Sequence, residues 1–159
     1  MSDVFNRPYI TLTRAHVLVA VPRRGQHPVA SSRIWTLLTD ARNFHRWNST
    51  VSAIEGEIRD GQRIRIHVPG TDRTFTPRVS NVVPDVRMAW TGGFAPLFKG
   101  VRTFALIPQP GGSTTFVMQE RFSSFMLPIV GRSMPDFELV FERYAIDLKR
   151  EAERAHAQR

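Results

Sequence analysis

Residues 135–156 have the sequence PDFELVFERYAIDLKREAERAH. Apolar side chains recur there every three or four residues, which is the period of an amphipathic α-helix. The stripe that they form consists of Phe137, Phe141, Tyr144, Leu148 and Ala152. The other side is charged, and we expect the Arg143 and Asp147 pair, one turn apart, on a solvated face. Since an apolar stripe of this length has to be covered, the segment predicts a long C-terminal helix that lies on a sheet.

The chain before this helix has the period of β-strands. A first alternating run covers residues 11–21, and six more occupy residues 51–58, 63–68, 74–83, 86–91, 99–107 and 114–123. Turn residues separate them, for example the segment Pro110-Gly111-Gly112. Short alternating runs joined by tight turns are typical of an antiparallel meander. The pattern therefore predicts one curved antiparallel sheet of about seven strands.

Two short helices are expected between the first strand and the second. Ile34, Trp35, Leu37 and Leu38 supply a helical apolar stripe that ends before Asp40. A second helical turn at residues 43–46 ends at Trp47. Helices that are segregated from an antiparallel sheet make the class α+β.

Particular motifs resemble a known superfamily. The run Ile34-Trp35-Thr36-Leu37-Leu38-Thr39-Asp40, followed by Phe44-His45-Arg46-Trp47-Asn48, resembles START-like (SRPBCC) proteins, which include polyketide cyclases and plant pollen allergens. Residues 87–92, 104–108 and 119–122 are similar to the corresponding strands. Two departures are Asn48-Ser49, where many members have Asn-Pro or Asp-Pro, and Ser123-Ser124, where Ser-Gly or Thr-Gly is common.

The resemblance extends from about residue 13 to the C-terminal helix, and it implies a helix-grip fold in which the sheet wraps that helix. It also implies an internal cavity for a lipid, polyketide, sterol or other apolar small molecule. Some members use the cavity for cyclisation or dehydration, and the fold alone does not choose between binding and catalysis.

Composition fits a single domain. The 159 residues are 42% hydrophobic, so we expect one domain over residues 1–159 with a core at about 11–156. The absence of cysteine excludes disulfides and thiolate chemistry. No run reaches the roughly 18 apolar residues that span a bilayer, so we expect a cytoplasmic protein without stable membrane insertion.

The charge balance does not indicate a nucleic-acid partner. Lys and Arg total 22 against 14 Asp and Glu, for a formal charge of +8. The arginines are scattered along the chain, which favours a solvated surface over a nucleic-acid footprint.

Signals for catalysis are weak. The five histidines show no metal-ligand spacing, so we expect no metal and no cofactor. A Gly-x-Ser-x-Gly elbow and a phosphate-binding glycine loop are both absent from the sequence. The leading interpretation is a module that binds an apolar small molecule. A polyketide cyclase or dehydratase-like enzyme is the alternative, and a partner-binding domain without ligand is the third.

The candidate ligand-binding residues follow from strand alternation, because inward positions share a parity. Together with the helix stripe and the second helix they are Trp47, Ile66, Met88, Trp90, Arg102, Phe104, Met118, Glu120, Phe122, Phe125, Phe137, Phe141 and Tyr144. We expect the aromatic members to line one interior void, reached past Phe94 and Phe125 on two apolar loops. A solid core built from the same side chains is the alternative.

The sharpest expectation concerns Arg102 and Glu120. If the turn at 110–112 pairs Phe104 with Met118 and Leu106 with Phe116, Arg102 meets Glu120 on the inward face. On the functional interpretation, Arg102 orients a ligand oxygen and Glu120 is the candidate acid-base group. On the structural interpretation, the pair lies near the open end of the sheet and only fixes register.

Two apolar residues lie on the polar side of the C-terminal helix. Leu139 and Ile146 are seven residues apart, about two helical turns. We expect them to meet a second subunit, which would make the protein a homodimer, or another segment such as residues 4–10.

Overall fold

The computed structural model describes residues 12–20, 30–94, 98–124 and 137–154, with the backbone alone at 12–20, 94, 98, 123–124 and 137–138. The helical elements are α1 (Ser31–Thr39), a 3-10 turn (Ala41–Asn43), α2 (Phe44–Trp47) and the long C-terminal α3 (Phe137–Arg154). The strands are β1 (Leu12–Ala20), β2 (Ala53–Glu55), β3 (Arg65–His67), β4 (Thr74–Phe75), β5 (Arg78–Val83), β6 (Arg87–Phe94), β7 (Phe98–Pro108) and β8 (Thr114–Ser124). This is the expected α+β class and the helix-grip order of elements.

The strands form two antiparallel sheets where the sequence predicts one. The larger has the order β1-β8-β7-β6-β5, and the smaller has the order β2-β3-β4. The predicted run 74–83 is divided at Pro77, which has no N–H to continue a ladder. Backbone bonds still join the two sheets across this break, from Ile64 N to Pro77 O (3.1 Å) and from Val79 N to Gln62 O (2.8 Å). The two sheets are therefore joined by backbone hydrogen bonds, with an interruption at Pro77.

The two short helices form where the sequence predicts them. α1 buries Ile34 and Leu38, which are one turn apart. Asp40 ends it and accepts a hydrogen bond from Asn43 N (3.3 Å), which starts the 3-10 turn. α2 then buries Phe44 and Trp47, so the pair of helices places two aromatic rings against the sheet.

The β7–β8 hairpin has the predicted register. Phe104 pairs with Met118, and Arg102 pairs with Glu120. The turn uses Gly111 and Gly112 at φ of 86° and 82°, a conformation that glycine adopts without steric cost. The predicted inward apolar positions of β6, β7 and β8 are buried, which confirms the parity.

α3 packs its predicted stripe on the concave face of the larger sheet. The described members of the stripe are all buried: Phe141, Tyr144, Leu148 and Ala152, with Ala145 beside them. Burying one such large side chain contributes roughly 1.5–3 kcal/mol, so this contact is a major part of the core. In the described part of the chain, no helix is both long and apolar enough to cross a bilayer.

Asp147 corrects one expectation about α3. The residue is 5% exposed rather than solvated. Its Oδ2 accepts hydrogen bonds from Ser49 N (2.8 Å) and Ser49 Oγ (2.6 Å), and its Oδ1 accepts one from Arg150 (2.9 Å). The loop after α2 covers this turn of the helix, which the helical period alone cannot reveal. Asp147 therefore ties α3 to that loop.

Replacing Asp147 by Ala should destabilise the fold. The variant loses the two hydrogen bonds from Ser49 and the one from Arg150, and it leaves the Ser49 N–H unpaired, so we expect the free energy of unfolding to fall by about 2–3 kcal/mol. Urea denaturation measures this free energy, with Asp72→Ala, which alters an exposed aspartate between β3 and β4, as the control. Equal losses in the two variants would contradict the role given to Asp147.

Candidate functional site

An aromatic cluster lies where α2, the larger sheet and α3 meet. Tyr144 of α3 is at its middle, and its ring centroid is 6.1 Å from Phe44, 5.7 Å from Trp47, 6.2 Å from Phe104 and 6.2 Å from Phe116. These separations are those of directly packed aromatic rings. The cluster is therefore held by α2, β7, β8 and α3, and the rings of β7, β8 and α3 come from the inward parity and the stripe predicted from sequence.

Trp90 extends this cluster toward the charged row of the sheet. Its centroid lies 4.7 Å from that of Phe104. On β6 it pairs with Arg102 of β7, which in turn pairs with Glu120 of β8. One cross-strand row thus passes from an aromatic ring to an ion pair.

Arg102 and Glu120 form the predicted ion pair on the concave face. Arg102 Nη2 lies 2.8 Å from Glu120 Oε2, and Nε lies 3.3 Å from the same oxygen. The side chains are 21% and 12% exposed, so the pair is largely removed from water. The Arg102 Cζ also lies 4.9 Å from the centroid of Phe141, a cation–π distance. The predicted contact is confirmed, while its role stays a prediction.

Gly100 allows the ring of Phe122 to pack closely beside this pair. A Cβ added there would lie 3.3 Å from Phe122 Cε1 and 3.8 Å from Glu120 Oε1. Both hydrogen bonds from Arg102 end on Oε2, and no described residue donates one to Oε1. The second carboxylate oxygen therefore lies near the place where the ring of Phe122 packs over Gly100.

Four buried polar groups near the cluster have no hydrogen-bond partner among the described residues. They are Trp47 Nε1, Asn48 Nδ2, Trp90 Nε1 and Tyr144 Oη. An unpaired buried polar group costs about 1–3 kcal/mol, so such groups in native proteins usually meet a water or a ligand. These atoms supply the polar groups that an otherwise apolar binding site needs for orientation.

Tyr144 keeps its proton at neutral pH. Burial raises the pKa of its hydroxyl well above the ordinary value of a tyrosine, and the positive charge of Arg102 opposes that shift. The neutral phenol is therefore a hydrogen-bond donor inside the cluster.

The structure brings most of the predicted ligand-binding residues together. Apart from the Arg102 and Glu120 pair, the described ones are all buried: Trp47, Ile66, Met88, Trp90, Phe104, Met118, Phe122, Phe141 and Tyr144. Ile66 reaches the same core from β3 of the smaller sheet. Phe125 and the side chains of Phe137 and Phe94 lie outside the described residues, so the void and its mouth stay predictions.

Some features of the site were missed from sequence. Gly100 shares the inward parity of Arg102 and Phe104, so alternation could have revealed it. In the sequence Asn48 is only a departure from a family pattern, but in the structure it is buried and its Oδ1 accepts a hydrogen bond from Thr50 N (2.8 Å). Arg14 of β1 occupies the register position opposite Glu120, which no signal within β1 could have shown.

Among the described residues, no group of three or more potential metal ligands is present.

A long helix packed on an antiparallel sheet, over a largely aromatic interior, defines a helix-grip domain. The sequence model of one family, described as "Polyketide cyclase / dehydrase and lipid transport", matches residues 26–154. The chain belongs to this family. No curated protein matches the sequence.

Solved structures share the fold at low sequence identity. Protein MLL2253 from Mesorhizobium loti is 23% identical, with a TM-score of 0.64 over 89% of this chain and 98% of that one. DynU16, a putative protein in the dynemicin biosynthetic locus, is 16% identical with a TM-score of 0.67, over 91% of this chain but 48% of its own. Norcoclaurine synthase from Thalictrum flavum, in complex with dopamine and hydroxybenzaldehyde, is 14% identical with a TM-score of 0.61, over 90% of this chain and 87% of that one. These likenesses show the fold.

A double-mutant cycle on stability should separate the inward ion pair from a surface pair. For Arg102→Met and Glu120→Gln we expect a coupling of about 1–2 kcal/mol that persists at high salt, because the pair is shielded from water. The matched control is Arg65 and Glu55, joined at 3.4 Å but 56% and 57% exposed. Its coupling should stay below about 0.5 kcal/mol. Denaturation at low and high salt measures both, and equal couplings would refute the distinction.

Proposed function

We propose that the protein binds an amphipathic small molecule, such as a lipid, polyketide or aromatic metabolite, between the concave face of the larger sheet and α3. The observation that carries this proposal is the Arg102 and Glu120 pair on an otherwise apolar inward wall. Family membership supports a small-molecule ligand but leaves its identity open.

Stability alone gives a poor reason for this pair. Well-packed apolar side chains in its place would often be as stabilising or more so, since two charges must lose most of their water. Arg102 has five N–H groups, and Glu120 engages Nε and Nη2. The remaining donors are suited to a carboxylate, phenolate or enolate oxygen of the ligand.

The alternative is an enzyme of the polyketide cyclase or dehydratase kind. Glu120 Oε1 has no donor among the described residues and lies on the inward wall near Gly100. A carboxylate in that position could exchange a proton with a bound carbon skeleton, provided that the skeleton lies within hydrogen-bond reach. Binding alone requires no such contact, so turnover separates the two functions.

The first experiment is native mass spectrometry of the purified protein, which would reveal a co-purified small molecule. That molecule is then the probe for Arg102→Met and Glu120→Gln, after each variant is shown to fold. For a binding protein we expect Arg102→Met to lower affinity by about 10–100-fold, the value of a charge-assisted hydrogen bond. For an enzyme we expect Glu120→Gln to abolish turnover while binding persists.

Matched controls come from the exposed pair, as Arg65→Met and Glu55→Gln. They remove the same groups from the surface, so affinity and turnover should stay at wild-type values. Unchanged affinity and activity in both site variants would leave Arg102 and Glu120 a structural pair. Absence of any small-molecule ligand would favour the third possibility, a domain that binds a protein partner.

We also propose that the outer face of α3 joins two copies of the chain. Leu139 and Ile146 are 65% and 59% exposed. A two-fold axis between Glu142 and Arg143 would pair Leu139 with the partner's Ile146, and Glu142 with the partner's Arg143, so that apolar and charged groups both match. The competing expectation, contact with residues 4–10, lies outside the described residues.

Sedimentation tests this dimer. We expect the wild-type protein to sediment as a dimer and Ile146→Glu to sediment as a monomer, because a charge would be buried at the axis. Ile107→Glu, which alters an exposed apolar residue of β7, is the control and should stay dimeric. A wild-type protein that remains monomeric at high concentration would rule the dimer out.

The absence of cysteine suits a reducing compartment, so we keep the cytoplasm as the proposed location.

A further inference from the structure

The outer face of the larger sheet, which points away from α3, carries positive charge and no acid. Side chains alternate between this face and the core, so the residues between the buried inward positions belong to it. The charged ones are Arg78, Arg87, Lys99 and Arg121, and all four are exposed. Glu120 is the only acidic residue in the five strands of this sheet, and it lies on the inward face. The outer face therefore has no acid of its own to neutralise its cations.

Cross-strand pairing brings together arginines that are far apart in the sequence. Arg63 forms an isolated antiparallel bridge with Arg78, next to the larger sheet. The row then continues through the register pairs Arg78–Thr91, Thr91–Val101 and Val101–Arg121. Neighbouring strands lie about 4.8 Å apart, so one row roughly 20 Å long holds three arginines. The cations that look scattered along the chain are gathered by the fold.

These cations lack carboxylate partners. The ion pairs of the described residues include none of Arg63, Arg78, Arg87, Lys99 and Arg121. Arg63 Nη1 donates a hydrogen bond to the backbone oxygen of Thr76 (3.4 Å), which carries no charge. Arg63 and Arg78 are also like charges directly opposite each other, an arrangement that destabilises a sheet. An anionic partner from outside the chain would relieve that repulsion.

Exposed aliphatic side chains lie beside one of these cations. Val83 pairs with Arg87, Arg87 pairs with Ala105, and Ile107 lies two residues further along the same side of β7. Val83 and Ile107 are 38% and 47% exposed. Cations next to exposed aliphatic groups suit the boundary between lipid headgroups and acyl chains.

We propose that the outer face of the larger sheet adsorbs to the surface of an anionic phospholipid bilayer. Each arginine or lysine near such a surface strengthens adsorption about fivefold. The lipids of a fluid bilayer can move beneath cations at any spacing, and adsorption requires no membrane-spanning segment. The surface lies on the side of the sheet opposite the candidate ligand site, so this inference does not depend on the proposed function.

Other polyanions fit this face less well. Proteins that bind single-stranded nucleic acid stack the bases on aromatic rings, and no outward position of the five strands holds an aromatic residue. Proteins that read a duplex insert a helix or a ribbon into a groove, whereas these cations lie on the face of a sheet. An acidic protein would have to place its carboxylates at matching fixed points.

Flotation with vesicles tests this surface. One set of vesicles is pure phosphatidylcholine, and the other contains phosphatidylglycerol and phosphatidylcholine in a ratio of about 1:2. We expect the wild type to bind only the anionic vesicles, and binding should fall steeply with added salt because the contact is screened. Arg78→Glu and Arg121→Glu should each weaken binding at least about tenfold, since each change removes a cation and adds a charge that the surface repels.

Arg42→Glu is the charge-matched control. Arg42 is exposed on the 3-10 turn before α2, and Phe44 of α2 packs against the inward ring of Trp90, at 6.4 Å between centroids. The control therefore changes the net charge by the same amount on the other side of the core. It should bind within about threefold of the wild type, because charges more than a Debye length from the surface are screened.

Thermal melting shows that a loss of binding is not a loss of folding. Neither Arg78 nor Arg121 has an ion pair with a described residue to lose, and Arg78→Glu puts a carboxylate opposite Arg63. Opposite charges across two strands stabilise a sheet, so Arg78→Glu should melt no lower than the wild type.

Three vesicle results would overturn the proposal: no binding to the anionic vesicles, equal binding to both kinds, or undiminished binding in both site variants. The same proteins are also titrated with a duplex oligonucleotide and with poly-L-glutamate at the same concentration of anionic groups. Tighter binding to either polymer than to the anionic vesicles, with the same dependence on Arg78 and Arg121, would assign the face to nucleic acid or to an acidic protein and exclude the bilayer.

Discussion

The register between β7 and β8 is the constraint on which both the core and the candidate site depend. Successive side chains of a strand point to opposite faces, so a slip of one residue would exchange the two faces of the hairpin. Phe104 and Met118 would then leave the core, and Arg102 and Glu120 would move to the convex surface. Both strands are interior, because β8 also pairs with β1 and β7 with β6. The turn at Gly111 and Gly112 is closed by the hydrogen bond from Gln109 N to Ser113 O (2.8 Å). It therefore determines the register of the hairpin and also which side chains of β7 and β8 face the core.

Packing and recognition make different demands on the same side chains. The ring of Tyr144 packs against four other rings, and that burial is worth roughly 1.5–3 kcal/mol. Its unpaired hydroxyl costs about 1–3 kcal/mol, so phenylalanine would serve the core at least as well. The same comparison holds for Arg102 and Glu120. Where a polar group costs stability and apolar substitutes would fit, selection for folding alone does not explain it, and the proposed function supplies a reason.

Sequence reasoning succeeded where periodicity and local turn chemistry decide the structure. The α3 stripe and the pairing of Arg102 with Glu120 follow from alternation, helical period and one glycine turn. Sequence reasoning failed where the environment of a residue depends on a distant segment of the chain. The burial of Asp147 requires knowing that the loop at Ser49 covers that turn of the helix.

The remaining errors have the same origin. The division into two sheets falls at Pro77. Its missing N–H interrupts the ladder within a run that otherwise alternates like a single strand. The sequence of β1 does not indicate that β8 will be its neighbour, so the register position of Arg14 opposite Glu120 could not be predicted. The unpaired donors of Trp47, Trp90 and Tyr144 could not be seen either, because pairing of side-chain groups depends on the complete tertiary arrangement.

The layout of α3 suggests how binding and stability are connected. Phe141 lies under the Arg102 guanidinium, Tyr144 occupies the middle of the aromatic cluster, and Asp147 holds the loop after α2. These residues are three apart, so they lie along one side of the helix on successive turns. Leu148 and Ala152 anchor the next turns to the core whether or not a ligand is present. A ligand that contacts both Arg102 and Tyr144 would bridge the sheet and the first half of α3, and it would stabilise that half by mass action because only the docked helix completes the site.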